Sequence, residues 1–255
     1  MIAICTLIFA YKVHPEYDLV FLGNRDEFKN RPTAFSHFWD DHSDILAGID
    51  LLKGGTWTGI TKKGRIAFIT NYRDFNIQRD PLLSRGYLVK DFLLKNISPF
   101  TYLKEVQKEK DKYDLFNLIV GSLDDLCYYS NVENKIKKLT PGLYGLSNAL
   151  LDTPWPKVVK AKNRLSSLLK IGFSVPQLFE ILDDTEIPPD ENLPDTGLTL
   201  DKERMLSPIH IDTPTYGTRI KTVILINKSG DVKFYEKGLN DNGSWELNKF
   251  KFTIY

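Results

Sequence analysis

Residues 5–28, CTLIFAYKVHPEYDLVFLGNRDEF, carry the reading of the fold. The apolar run that begins at Ile2 ends at Tyr11, a second runs from Leu19 to Gly23, and the polar turn HPEYD (14–18) joins them. Short apolar runs bounded in this way read as paired strands. The polar run Asn24-Arg25-Asp26-Glu27 then comes directly off the strand end, followed by Arg31-Pro32.

Outward from this hairpin, Ile45 to Ile49, Thr56 to Thr61 and Arg65 to Asn71 repeat the pattern. The last two are joined by the turn KKG, which argues for antiparallel sheet. Helical spacing follows in Pro81 to Asn96 and in Ser98 to Lys110. Ser98 is the expected N-cap of the second, with Pro99 at its first helical position. Strands return at 116–122 (FNLIVGS) and 126–130 (LCYYS). Pro156 to Lys170 then carries a helical stripe of Val158, Ala161, Leu165, Leu168 and Leu169. Residues 184–205, acidic and rich in proline and glycine, are expected to form a surface loop. The strands KTVILINK (221–228) and DVKFYEKG (231–238) and the alternating tail WELNKFKFTIY complete the chain. Strands on both sides of a helical middle predict one α+β domain over 1–255, with stacked sheets and segregated helices.

Hydrophobic residues at 42% and aromatics at 12% are enough for a sizeable core. A formal charge of +1, with no basic arm or acidic tail, argues against nucleic acid or an anionic membrane as partner. The two cysteines, Cys5 and Cys127, make no disulfide framework and fit a reducing, cytoplasmic compartment. The apolar start MIAICTLIFA lacks a charged leader and is too short to span a bilayer, so no integral membrane segment is expected.

Further polar clusters stand at strand ends. They are Gly54-Gly55-Thr56-Trp57, Asn71-Tyr72-Arg73, Tyr144-Gly145-Leu146-Ser147-Asn148 and Tyr216-Gly217-Thr218-Arg219. With CTLIFAYKVHPEYDLVFLGNRDEF, RPT, FNLIVG, LDTPWPKV and TPTYGTR, they resemble the NRDE (transport and Golgi organization) family from Cys5 to about Arg219. That family in turn resembles N-terminal-nucleophile hydrolases, which implies a four-layer αββα sandwich with two antiparallel sheets between helical layers. The order of site residues in those hydrolases implies Cys5 as nucleophile and, after it, Arg25, Asp26, Asn71, Asn148 and Arg219. Asn24 and Glu27 stand beside them as alternatives.

The residue types suit the chemistry. A thiolate attacks a carbonyl, and a free α-amine on the same residue, titrating at about 7.7–8.0, can shuttle the proton. A neighbouring arginine lowers the thiol pKa, so a Cys5 flanked by Arg25 and Arg219 is expected to be depressed. An aspartate fixes the amine or the arginine, and asparagine amides donate to the oxyanion.

One departure from the pattern is that Met1-Ile2-Ala3-Ile4 precedes Cys5, where the family would place the cysteine directly after the initiator. Bulky Ile2 blocks methionine removal. Three readings stay open: initiation at the Ile4 codon, cleavage of the Ile4–Cys5 bond, or a chain that is no hydrolase.

Blander readings run alongside. A cysteine in an apolar strand is commonly inert core, as Cys127 is expected to be. Asn24 to Glu27 also reads as a turn with surface ion pairs. Asp40, Asp41, His42 and Asp44 read as a solvated loop, and neither a metal nor a cofactor is expected. Two functions follow. One is a cysteine-dependent hydrolase of a non-peptide amide or related acyl bond. The other is a non-catalytic carrier of a small amphipathic ligand (haem, lipid or acyl-coenzyme A) in the same cleft. The partner in both is a small molecule, and the sequence sets no oligomeric state.

Overall fold

Cys5–Tyr11 (β1) is buried along its whole length, as a strand covered on both faces must be. The computed structural model describes residues 5–77 and 79–255, so the expected strand residues Ile2 to Ile4 lie outside the described part. β1 is an inner strand, lying between Gly142–Leu146 (β10) and Tyr17–Phe28 (β2). The sheet continues through Tyr216–Asn227 (β11), Asp231–Leu239 (β12) and Trp245–Thr253 (β13). A second sheet runs in chain order through Thr33–Trp39 (β3), His42–Asp50 (β4), Thr58–Thr61 (β5) and Ile66–Asn71 (β6). It ends with Phe116–Gly121 (β7), Leu126–Ser130 (β8) and Lys135–Lys138 (β9). Every strand pairing in both sheets is antiparallel.

The period-2 alternation of β1 and β2 sorts their side chains onto two faces. Leu7, Phe9, Leu19 and Phe21 join Phe68, Ile119 and Tyr128 of the second sheet in the inter-sheet core. Phe21 stacks on Phe68 with ring centres 4.1 Å apart. Ile8, Ala10, Val20 and Leu22 point the other way, onto Pro156–Ile171 (α3) and Val175–Leu182 (α4). The far face of the second sheet packs on Gly86–Leu94 (α1) and Pro99–Lys108 (α2). Three apolar layers therefore hold four layers of secondary structure in the order α, β, β, α.

Local chemistry sets the helix limits. Ser98 accepts a hydrogen bond from Thr101 N at 3.1 Å and Pro99 opens α2, the arrangement its sequence calls for. α1 begins at Gly86, later than Pro81, because Leu82 and Leu83 instead donate their backbone N–H groups to Lys112 O. α3 stops at Gly172, whose φ of 90° is open to glycine.

The expected loop 184–205 is a helix in its last part, Leu200–Leu206 (α5), with Glu203 and Leu206 buried. Proline and acidic residues earlier in the segment mask this turn of amphipathic spacing. Asn24 to Glu27 are not a surface turn: they lie inside β2 and are buried.

Candidate functional site

Because β1 and β2 are antiparallel neighbours, Cys5 is paired directly opposite Arg25. Alternation then divides the polar quartet between the faces of the sheet. Arg25 and Glu27 continue the inter-sheet side, while Asn24 and Asp26 continue the helix side.

On the inter-sheet side lies a small cavity of about 100 Å3, whose lining includes Cys5, Arg25, Glu27, Arg31, Asn71 and Arg85. The Arg25 guanidinium sits over the Trp57 ring at 4.5 Å, 3.6 Å from Glu27, and donates to Thr33 Oγ1 at 3.3 Å. Arg31 pairs with Asp50 at 2.6 Å and with Glu27 at 3.5 Å. Arg85 enters from the start of α1, held by Asp114 at 3.3 Å and by Leu115 O at 2.9 Å. The backbones of Gly55 and Gly86 close this wall, for a Cβ on Gly55 would sit 2.6 Å from Gly86 C. Only glycine permits that approach.

On the helix side, Asp26 is wholly buried and accepts from Thr218 Oγ1 at 2.6 Å. Burial pushes its carboxyl up, against the pull of Lys157, Thr218, Lys221 and Arg25. Its backbone amide donates toward the Cys5 sulfur. At the end of β10, Ser147 Oγ donates to Cys5 O at 2.9 Å, and Asn148 Nδ2 donates to Asn71 O at 2.8 Å. The chain thus brings Cys5, Arg25 and Asn71 to one cavity, with Asn148 anchored on Asn71 and Asp26 behind the sheet.

Arg219 stands apart. The β2–β11 register passes from Asp26↔Thr218 to Arg25↔Ile220, leaving Arg219 as the extra residue of a β-bulge. Its guanidinium donates to Arg31 O and lines a neighbouring cavity of about 560 Å3 with Lys29, His210 and Trp245.

The thiol is not depressed. Burial, then Asp26, pushes Cys5 up to about 12, and the pull of Arg25 does not overcome them. Desolvation wins because the thiol is taken out of water almost completely. Cys127 is likewise raised, to about 11, by burial.

Sequence reasoning did not single out Asp50, Arg85 or Lys157 for this site. Asp50 and Arg85 carry no local signal, but Lys157 sits in the LDTPWPKV motif. Among the described residues no group of His, Cys, Asp and Glu is arranged to hold a metal ion, and no helix is long and apolar enough to cross a membrane.

Comparison with known proteins places the fold and the family. Penicillin V acylase from Agrobacterium tumefaciens superposes with a TM-score of 0.52 at 12% identity, covering 98% of this chain and 86% of that one. The Caenorhabditis elegans ortholog of N-acylethanolamine-hydrolyzing acid amidase gives 0.51 at 14% identity, covering 87% and 92%. At such identities the likeness shows the fold, the sandwich of N-terminal-nucleophile hydrolases. In sequence, the chain is 35% identical to the Transport and Golgi organization 2 homolog of Mus musculus, over 98% of this chain and 99% of that protein. It is 26% identical to Transport and Golgi organization protein 2 of Drosophila melanogaster, over 94% and 95%. The family model described as Transport and Golgi organisation 2 matches residues 4–241, and the chain belongs to that family.

Proposed function

We propose that this protein is a cysteine-nucleophile hydrolase of a non-peptide amide or related acyl bond, with Cys5 as nucleophile. The observation that carries the reading is the cross-strand pair Cys5–Arg25 at a cavity that Asn71 also lines. Sγ attacks the substrate carbonyl while its proton passes to the α-amine of Cys5, freed when Met1 to Ile4 are absent. The Asn71 amide donates to the oxyanion, a contribution of roughly 2.7–4 kcal/mol per donor. The amine passes its proton to the leaving nitrogen, and water then hydrolyses the thioester and restores the thiol. Arg25 favours the thiolate and Asp26 steadies the amine. Arg219, through Arg31 O, fixes the loop that bears Arg31.

The carrier reading has its own support. With its pKa at about 12, the thiol of the chain as written is protonated at neutral pH. Leu51 and Leu52 follow the cavity residue Asp50, and Leu82 and Leu83 precede Ser84; all four are exposed. Exposed apolar residues next in sequence to the cavity lining suit the apolar part of an amphipathic ligand.

The two readings separate in a comparison of the chain as written with one that begins at Cys5. Rapid labelling of Cys5 and hydrolysis of a simple acyl-amide probe by the shorter chain alone support the hydrolase. Equally slow labelling in both chains, with no turnover, removes nucleophilic catalysis and leaves the carrier.

A further inference from the structure

At its first turn α3 comes so close to β10 that a Cβ on Gly145 would sit 2.5 Å from Val158 Cγ1. This approach brings Lys157, the second residue of α3, behind the sheet that holds Cys5, where it is only 5% exposed. Its ammonium donates to Leu206 O at 3.0 Å. The charged and titratable groups that face it are Asp26 of β2, Cys5 of β1, Arg73 beyond β6 and Glu203 of α5. Glu203 is committed elsewhere, to Arg73 at 2.7 Å and to the backbone and hydroxyl of Thr196. Asp26 is faced by Lys157, by Thr218 and Lys221 of β11, and by Arg25, and its Oδ2 accepts no hydrogen bond among the described residues.

We propose that Lys157 is a positioning residue for the nucleophile, its buried charge keeping the α-amine of a chain beginning at Cys5 in the neutral, proton-accepting form. The inference rests on the reading of Cys5 as an N-terminal nucleophile. An ammonium formed at Cys5 would face the charge of Lys157, whose carboxylate neighbour Asp26 already answers it, while Glu203 answers Arg73 and Glu27 answers Arg25. Like charges at short range out of water disfavour protonation, so the amine's pKa falls. The amine is then free at neutral pH to take the Sγ proton as the sulfur–carbon bond forms. Asp26 Oδ2 is the acceptor that orients it. Lys157 touches neither substrate nor sulfur; it sets the proton affinity of the group that does the work.

The test is a titration that does not depend on turnover. The chain beginning at Cys5 is labelled with carbon-13 cysteine, and the Cys5 Cα shift is followed against pH by NMR. The α-amine midpoint is expected about one unit below the free-peptide range of about 7.7–8.0. Lys157→Met should move it up by roughly one unit, and Lys157→Arg, which keeps the charge, should leave it within a few tenths. A wild-type midpoint at or above the free-peptide range overturns the proposal, and so does an unmoved midpoint in folded Lys157→Met. If Lys157→Met does not fold, Lys157→Gln, which removes the charge and keeps a donor for Leu206 O, takes its place, and an unmoved midpoint there overturns the proposal equally. Turnover of the acyl-amide probe is measured separately. Absent turnover with slow labelling of Cys5 sinks the hydrolase reading and the role of Lys157 with it, while turnover with an unmoved midpoint sinks the role of Lys157 alone.

Discussion

The Arg25 guanidinium lies 4.5 Å from the centre of the Trp57 ring, so the arginine opposite Cys5 is held by the residue that leads into β5 of the other sheet. A desolvated contact of this kind contributes about 2 kcal/mol. Arg25→Met removes the cation that opposes burial of the thiolate. Iodoacetamide labelling of Cys5 at fixed pH should then slow by roughly threefold to tenfold, the effect of half to one pKa unit. Trp57→Leu should slow it less, since the charge remains and only its anchor is lost. Unchanged rates in both variants would separate Arg25 from the chemistry of Cys5.

Cys127 supplies the internal contrast. It is buried in the core beneath α1 and α2 and raised to about 11. Its labelling should be negligible in the native protein and should track unfolding in urea. Native labelling of Cys127 at the rate of Cys5 would show that access alone governs both thiols.

Arg73 and Glu203 form a pair with both side chains out of water, 2.7 Å apart. Breaking such a pair from one side leaves a buried charge, at a cost of about 3–5 kcal/mol. Glu203→Gln should lose stability on that scale in urea denaturation, while Arg73→Met with Glu203→Leu should recover most of it. A double variant as unstable as the sum of the singles would refute the pairing.

Glu236 is wholly buried and accepts from Ser36 N at 2.6 Å and Ser36 Oγ at 2.5 Å, tying β12 to β3. Burial raises its folded pKa above the ordinary 4.5. Between the unfolded and folded values the native state binds the proton more tightly, so stability falls as pH rises through that window. Below 4.5 both states are protonated and the slope vanishes. Glu236→Gln carries no proton to lose. Its unfolding free energy should gain on the wild type as pH rises, and parallel curves would count against the account.

The hairpin of β1 and β2, the helices 99–108 and 156–171 and the strands from 221 onward were legible because their apolar periods are unbroken, whereas 216–220 of β11 read as a polar cluster ahead of it. α4 was not, although Ser174 and Gln177 form a capping box in which Ser174 N donates to Gln177 Oε1 at 2.8 Å. The extension of β2 through Asn24 to Glu27 was hidden because charged residues read as solvent-facing. The partners of Asp26 are supplied from afar: Lys157 and Thr218 answer it only after the chain has folded. Arg219 was visible as part of a motif, but the bulge that turns it into the neighbouring cavity leaves no trace in residue order. Nor does burial strong enough to outweigh a nearby arginine at the thiol.

The division of Arg25 and Asp26 between opposite faces has a consequence for assembly. A slip of β2 against β1 by one residue would exchange them, putting Asp26 beside Arg31 and Arg85 and driving Arg25 toward Lys157 and Lys221. Asp26 would lose Thr218, and Arg25 would be brought to the helix side beside Lys157 and Lys221, away from Trp57 and Thr33. Such a penalty adds to the exposure of every misplaced leucine. The polar quartet therefore proofreads the pairing of the two strands during folding, before any ligand arrives.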